Sequence, residues 1–135
     1  MNKSPYVMVS ASKLIEYEKA IGDIGGSVND PDLFKTIEKA CCRKQAFLFE
    51  VQEGMVVVRP VGESGLLLWV AYTRDKADLA EYQFELERMA RFINATYIEL
   101  WSIRKGLYRI LPKFGYTPRF EKYKETPITV WKKTL

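Results

Sequence analysis

Apolar positions recur at steps of three and four in some stretches of the chain and alternate or run together in others. Those changes of period divide it into elements. Tyr6–Val9 is a short apolar strand candidate. A helix should follow, with Ser12 as its cap and Leu14, Ile15 and Ala20 at apolar positions. Gly22, Gly25 and Gly26 are expected to break that helix, leaving the polar Ser27–Asp32 stretch as a flexible surface turn. Asp30-Pro31 then predicts a second helix start, with the proline near the first helical position. Leu33, Phe34, Ile37, Ala40 and Cys41 make an apolar stripe at helical spacing.

Past residue 45 the period shortens. Ala46–Val51, Met55–Val58 and Leu66–Tyr72 read as three strands joined by the turns Gln52-Glu53-Gly54 and Gly62–Gly65, an antiparallel meander. Leu66–Val70 is apolar without alternation, as a central strand covered on both faces should be. From Lys76 to Asn94 the helical period returns, with Leu79, Tyr82, Leu86, Met89, Ala90 and Ile93 on one face and Asn94 as the stop. Tyr97–Ile103 is another strand. A strand–helix–strand unit of this spacing implies a right-handed crossover and a parallel pair. Arg104–Pro112 reads as a short helix ended by Gly115, and Tyr116–Tyr123 and Ile128–Lys132 are the last strands. The order predicts one mixed α/β domain spanning residues 1–135, with a mainly antiparallel twisted sheet, a central parallel strand pair and flanking helices.

Composition removes several chemistries. The 135 residues include no histidine, which excludes Ser-His-Asp and Cys-His sites and the usual zinc-enzyme ligand sets. Catalysis must use Tyr, Glu, Asp, Lys, Cys or backbone groups. The two cysteines, Cys41 and Cys42, are adjacent and are expected as reduced thiols at a helix end. No signal peptide or apolar run of spanning length is evident, so a soluble cytoplasmic protein is expected. The net charge of +4 is uneven: residues 1–103 carry a net −3 and residues 104–135 a net +7. Such a basic end can attract nucleic acid, an anionic cofactor or an acidic protein.

Two segments carry a resemblance. The run Val70-Ala71-Tyr72-Thr73-Arg74-Asp75-Lys76-Ala77-Asp78-Leu79 follows a central strand and opens the long helix. The segment Arg104–Tyr116 contains Ile110, Lys113, Gly115 and Tyr116 in a hydrophobic–x–x–Lys–x–Gly–aromatic pattern. With the element order, these resemble the GCN5-related N-acetyltransferase (GNAT) family, whose fourth and fifth strands splay apart around the pantetheine arm of acyl-CoA. The resemblance spans most of the chain and is strongest over residues 65–117. It sets Arg74 at the leading Arg/Gln of the family's phosphate loop, Ala77 at its first glycine and Leu79 at its last small residue. Leu111 stands where the family often has a tyrosine that protonates the departing thiolate. Size and eroded motifs also resemble small GNAT-like proteins of bacteriophages, some associated with virions.

The resemblance implies acetyl-CoA as cofactor, held by Val70, Tyr72, Arg74, Lys76, Ala77, Asp78 and Leu79. It implies direct transfer of an acetyl group to an amine on a small molecule or protein, with no covalent enzyme intermediate and so no need of histidine. Tyr108, one helical turn before Leu111, is the candidate acid. Glu53 and Glu99 are the candidate bases, with Glu50 beside them on the second strand. The alternative is a non-catalytic GNAT-fold protein, virion-associated and bound to a virion or host partner. A less favoured reading is nucleic-acid binding through Arg104, Lys105, Arg109, Lys113, Arg119, Lys122 and Lys124, with Trp101, Tyr108, Tyr116 and Tyr123 as stacking surfaces.

Overall fold

Ser10, rather than Ser12, starts the first helical segment: its hydroxyl accepts the Ser12 amide at 3.3 Å. The computed structural model describes residues 7–51, 54–73, 79–103 and 107–135. After β1 (Val7–Met8), a 3-10 turn over Ala11–Tyr17 leads into α1 (Glu18–Ser27), then α2 (Leu33–Cys42). The meander follows as β2 (Phe47–Val51), β3 (Gly54–Val61) and β4 (Gly65–Thr73). The chain continues through α3 (Leu79–Phe92), β5 (Tyr97–Ser102), α4 (Leu107–Ile110) and a 3-10 turn over Leu111–Phe114. The hairpin β6 (Thr117–Tyr123) and β7 (Thr126–Thr134) ends it.

The seven strands form one sheet in the order β1-β2-β3-β4-β5-β7-β6. Every neighbouring pair is antiparallel except β4 and β5, which the α3 crossover makes parallel. This is the architecture expected from the alternation of periods. Two cores sandwich the sheet. On one face Leu14, Ile21, Leu33, Ile37, Leu48, Met55, Val57 and Val70 pack beneath α1 and α2. On the other, Leu66, Leu86, Ala90, Ile98, Leu111, Tyr116 and Trp131 pack beneath α3 and the α4 turn. Each fully buried aliphatic side chain contributes about 1.5–3 kcal/mol, so both faces need their helices.

Four local expectations are corrected. Gly22, Gly25 and Gly26 do not break α1, which runs through all of them. Gly25 has a packing reason: a Cβ there would overlap the carbonyl oxygen of Asp30. The supposed surface turn is held in place, since Ser27 closes α1 and Asp30 is only 3% exposed. The second helix begins two residues later than Asp30-Pro31 implied, at Leu33, because residues 31–32 are still in a turn. On α3, Ile93 lies outside the buried stripe, whereas the polar Gln83 and Glu85 are buried. Gln83 is satisfied by the Tyr116 hydroxyl at 3.0 Å and by Glu87, and Glu85 by Arg88 at 2.7 Å. Asn94 does stop α3, at φ 60°, and Gly115 ends the α4 segment at φ 91°, where glycine avoids left-handed strain.

Candidate functional site

The parallel pair β4–β5 is short. Its register covers Gly65↔Tyr97, Leu66↔Ile98, Leu67↔Glu99 and Leu68↔Leu100 and goes no further, yet β4 continues to Thr73 and β5 to Ser102. The outer sides of both extensions stay in the sheet: Val70 to Thr73 pair with β3, and Trp101 and Ser102 pair with β7. The strands therefore part only along their shared edge. The cause is visible next to the last pair. The β3–β4 register steps from Val57↔Val70 to Val58↔Leu68, leaving Trp69 as an extra residue in β4. Such a bulge bends and twists its strand, here away from β5. The resulting wedge is edged by backbone amide groups that no ladder between β4 and β5 uses.

A cavity of about 50 Å³ opens beside this wedge, on the face covered by α1 and α2. Trp69 and Val70 from β4 and Trp101 and Ser102 from β5 form its floor. Ile24 and Val28 from α1, Leu33 from α2, and Tyr123 and Ile128 from the β6–β7 hairpin form its walls. The Trp101 and Tyr123 rings are tilted against each other at 5.8 Å, and Arg59 lies over Trp69 at 4.9 Å. The Tyr123 hydroxyl donates to buried Asp30 at 2.5 Å. Lys124 stands 3.8 Å from the same carboxylate, and Asn29 donates to the Lys124 carbonyl at 3.3 Å. The loop after α1 is thus latched onto the hairpin tip. Burial, reinforced by the adjacent Asp30 carboxylate, pushes the Tyr123 hydroxyl up to about 12.

The candidate residues read from the sequence fall in different places. Val70 is buried in the α1–α2 core, and Tyr72 packs against the same core. Arg74, Lys76, Ala77, Asp78 and Glu53 lie outside the described residues, as does the side chain of Leu79 at the start of α3. Glu99 is half-buried on β5 and accepts the Trp101 indole N–H at 3.4 Å, so it stands beside the cavity. Tyr108 belongs to the opposite face. Its hydroxyl meets Thr129 Oγ1 at 2.9 Å, its ring packs edge-on against Trp131 at 4.8 Å, and Thr129 pairs with Ser102. It reaches the level of the wedge but lies one strand away, over β7. Leu111 is 7% exposed and packed in the core. Glu50 lies toward the far edge, where Tyr17 donates a hydrogen bond to it and Lys13 stands at 3.5 Å. The Tyr17 hydrogen bond and the Lys13 charge hold its carboxyl below the usual range.

The nucleic-acid surface loses members. Tyr116 is 2% exposed and hydrogen-bonded inside the core, and Tyr123 is latched to Asp30. Arg119 and Lys124 are paired with Glu121 and Asp30. Sequence reasoning missed Asp30, Trp69 and the joining of Trp101 to Tyr123. Asp30 and Tyr123 are 93 positions apart, and no local pattern announces their contact.

No family model and no curated protein sequence matches the chain. Solved structures do. Ard1 from Thermoplasma volcanium is 11% identical at TM-score 0.64, with 96% of each chain covered. An acetyltransferase from Streptococcus agalactiae is 12% identical at TM-score 0.64, covering 98% of this chain and 100% of its own. A GNAT family acetyltransferase from Elizabethkingia anophelis with acetyl-CoA bound is 10% identical at TM-score 0.57, covering 75% of this chain and 82% of its own. At such identities the likeness is one of fold, and the fold is GNAT-like.

Proposed function

We propose that the chain transfers an acetyl group from acetyl-CoA to a primary amine. The observation that carries this reading is the β4–β5 wedge, opened by the Trp69 bulge beside a cavity. A structure of the same fold has acetyl-CoA bound. The wedge fits an extended amide-bearing arm, because its edges are backbone donors and acceptors and need no particular side chain. Val70 and Tyr72 would hold the arm through the β4 backbone. Arg74, Lys76, Ala77, Asp78 and Leu79 would hold the phosphates at the start of α3, where helix amides favour anions. The cofactor, when bound, supplies a thioester carbonyl open to attack.

The chain's own part is positioning and proton traffic. One N–C bond forms and one C–S bond breaks; the amine gives up one proton and the departing thiolate takes one. Glu99 is the base best placed for the amine, being on the cavity face and half-buried; Glu53 is the second candidate. Tyr108 is the proton donor at the level of the wedge, since leucine at 111 has no proton to give.

Calorimetric titration with acetyl-CoA tests the reading. Micromolar binding is expected, weakened about 10- to 100-fold by Arg74→Ala, the cost of one charge-assisted contact of about 1.5–3 kcal/mol. Absence of heat from the folded wild-type protein overturns it. The alternative, a non-catalytic GNAT-fold interaction protein with a virion or host partner, draws on one observation. The position of the family's tyrosine is occupied by a leucine that serves the core. That alternative predicts no heat with acetyl-CoA.

A further inference from the structure

The cavity beside the wedge has a definite chemistry. Its walls are the aliphatic side chains of Ile24, Val28, Leu33 and Ile128, which disfavour an unpaired ammonium. Of the carboxylates nearby, Asp30 is held by Tyr123 and Lys124, and Glu99 accepts the Trp101 indole N–H and takes the amine's proton only as the nitrogen attacks. The aromatic rings do not form a cation cage. Arg59 already occupies the face of Trp69, bringing a positive charge that repels a second one. Size adds a further limit. About 50 Å³ is a third of the roughly 150 Å³ that accommodates benzene in an apolar cavity, so the enclosed part holds a short alkyl group and not a whole ring. The latch between Asp30 and Tyr123 fixes the wall on the hairpin side, so enlargement there requires breaking a part-buried hydrogen bond to a buried carboxylate.

We infer that this cavity is the acceptor subsite and that it selects a neutral primary amine on a short, unbranched aliphatic arm. The inference rests on the acyl-transfer reading. Entry as the neutral amine delivers the nucleophilic form directly. The apolar walls provide the discrimination, and the Tyr123 oxygen, oriented by its bond to Asp30, is the polar group that meets the amine.

The full chain has three tryptophans, Trp69, Trp101 and Trp131, and only the first two line the cavity. Trp131 is fully buried in the opposite core and serves as an internal control. The protein labelled with 5-fluorotryptophan is titrated with propylamine, benzylamine and spermidine and followed by fluorine NMR. Propylamine is expected to shift the Trp69 and Trp101 resonances and leave Trp131 in place. Its apparent Kd should fall about 100-fold between pH 7 and pH 9, because the neutral fraction of an alkylamine of lysine-like pKa rises tenfold per unit. Benzylamine should shift those resonances only after Ile24→Ala, a half-buried site whose truncation enlarges the cavity.

Tighter binding of spermidine than propylamine, or propylamine binding that does not change with pH, overturns the inference. Propylamine that binds as described but is not acetylated when acetyl-CoA is added overturns the acyl-transfer reading and leaves the subsite standing. Acetylation of bulky or polycationic amines without any propylamine shift does the reverse.

Discussion

Replacing Tyr123 with phenylalanine removes one oxygen and nothing else from the latch, so its effect can be worked out from the geometry. Asp30 is 3% exposed and receives the Tyr123 hydroxyl at 2.5 Å. Lys124 is the other charged group at this carboxylate, 3.8 Å away with its side chain half in solvent, and at that length with one partner hydrated the pair contributes less than the short hydrogen bond. Tyr123→Phe therefore strips a buried carboxylate of its one short hydrogen-bond donor among the described side chains. Hydrogen bonds to charged groups contribute about 1.5–3 kcal/mol, and the buried acceptor is left unsatisfied, so a loss of about 2 kcal/mol is expected. For a chain of this length the unfolding entropy is about 0.28 kcal/mol per degree, which converts that loss to a fall in Tm of about 7 °C. Differential scanning calorimetry reads it directly.

The same substitution in an Asp30→Asn background separates the latch from a general effect of the ring. The neutral amide suffers less from losing its donor, so Tyr123→Phe should cost below about 1 kcal/mol there, giving a coupling near 1 kcal/mol. A fall in Tm under about 2 °C, or single effects that add within about 0.5 kcal/mol, would refute the argument that the loop after α1 is anchored through this pair. Gly25, Asn29 and the hairpin tip would then have to carry the anchoring alone.

Three further outcomes follow from particular groups. Cys41 is buried, and burial, with Cys42 beside it, pushes its thiol up to about 11, so iodoacetamide at pH 8 should alkylate exposed Cys42 and spare Cys41; equal rates in peptide mass mapping would contradict this. The Glu50 carboxyl is held low by Tyr17, so its contribution to stability is complete above the ordinary carboxylate range and is lost as pH falls through its depressed value. Tyr17→Phe should flatten the acid limb of a Tm-against-pH curve, and an unchanged limb would discount the interaction. Leu111→Tyr, which places there the residue that the GNAT resemblance would set at this position, should destabilise by about 1–3 kcal/mol through overpacking a site 7% exposed; a gain in acetyl transfer with unaltered stability would show that the side chain can turn to the wedge.

Periodicity carried the architecture because burial on one face imposes a spacing that sequence displays directly. The alternation and apolar runs from residue 46 to residue 72 become the meander, and the α3 stripe produces the crossover that makes β4 and β5 parallel. Glycine misleads where helix propensity is weighed without tertiary context: α1 runs through three glycines, and one of them, Gly25, lets the Asp30 backbone approach. Polarity marks Ser27–Asp32 as a surface turn, and Ser27, Asn29, Pro31 and Asp32 are exposed there, but it does not announce that Asp30 within the turn is buried. The cavity was illegible for a different reason. Trp69 is an apolar residue in an apolar run, and its importance lies in the register slip that only the pairing with β3 reveals.

The departures from the GNAT pattern carry unequal weight once the backbone is considered. A wedge made by a bulge and two parting strands depends on register, and register is fixed by which faces are buried rather than by the identity of any one residue. Such a feature does not depend on sequence identity, which stands at 10–12% to structures of similar fold. A side-chain acid has no such protection: one substitution removes it, and Leu111 shows the position absorbed by the core. A leucine at 111 therefore speaks against one proton donor and leaves the β4–β5 wedge untouched. The decisive observation is then whether acetyl-CoA binds at the wedge, which the proposed role of Arg74 and the two tryptophans lining the cavity make measurable.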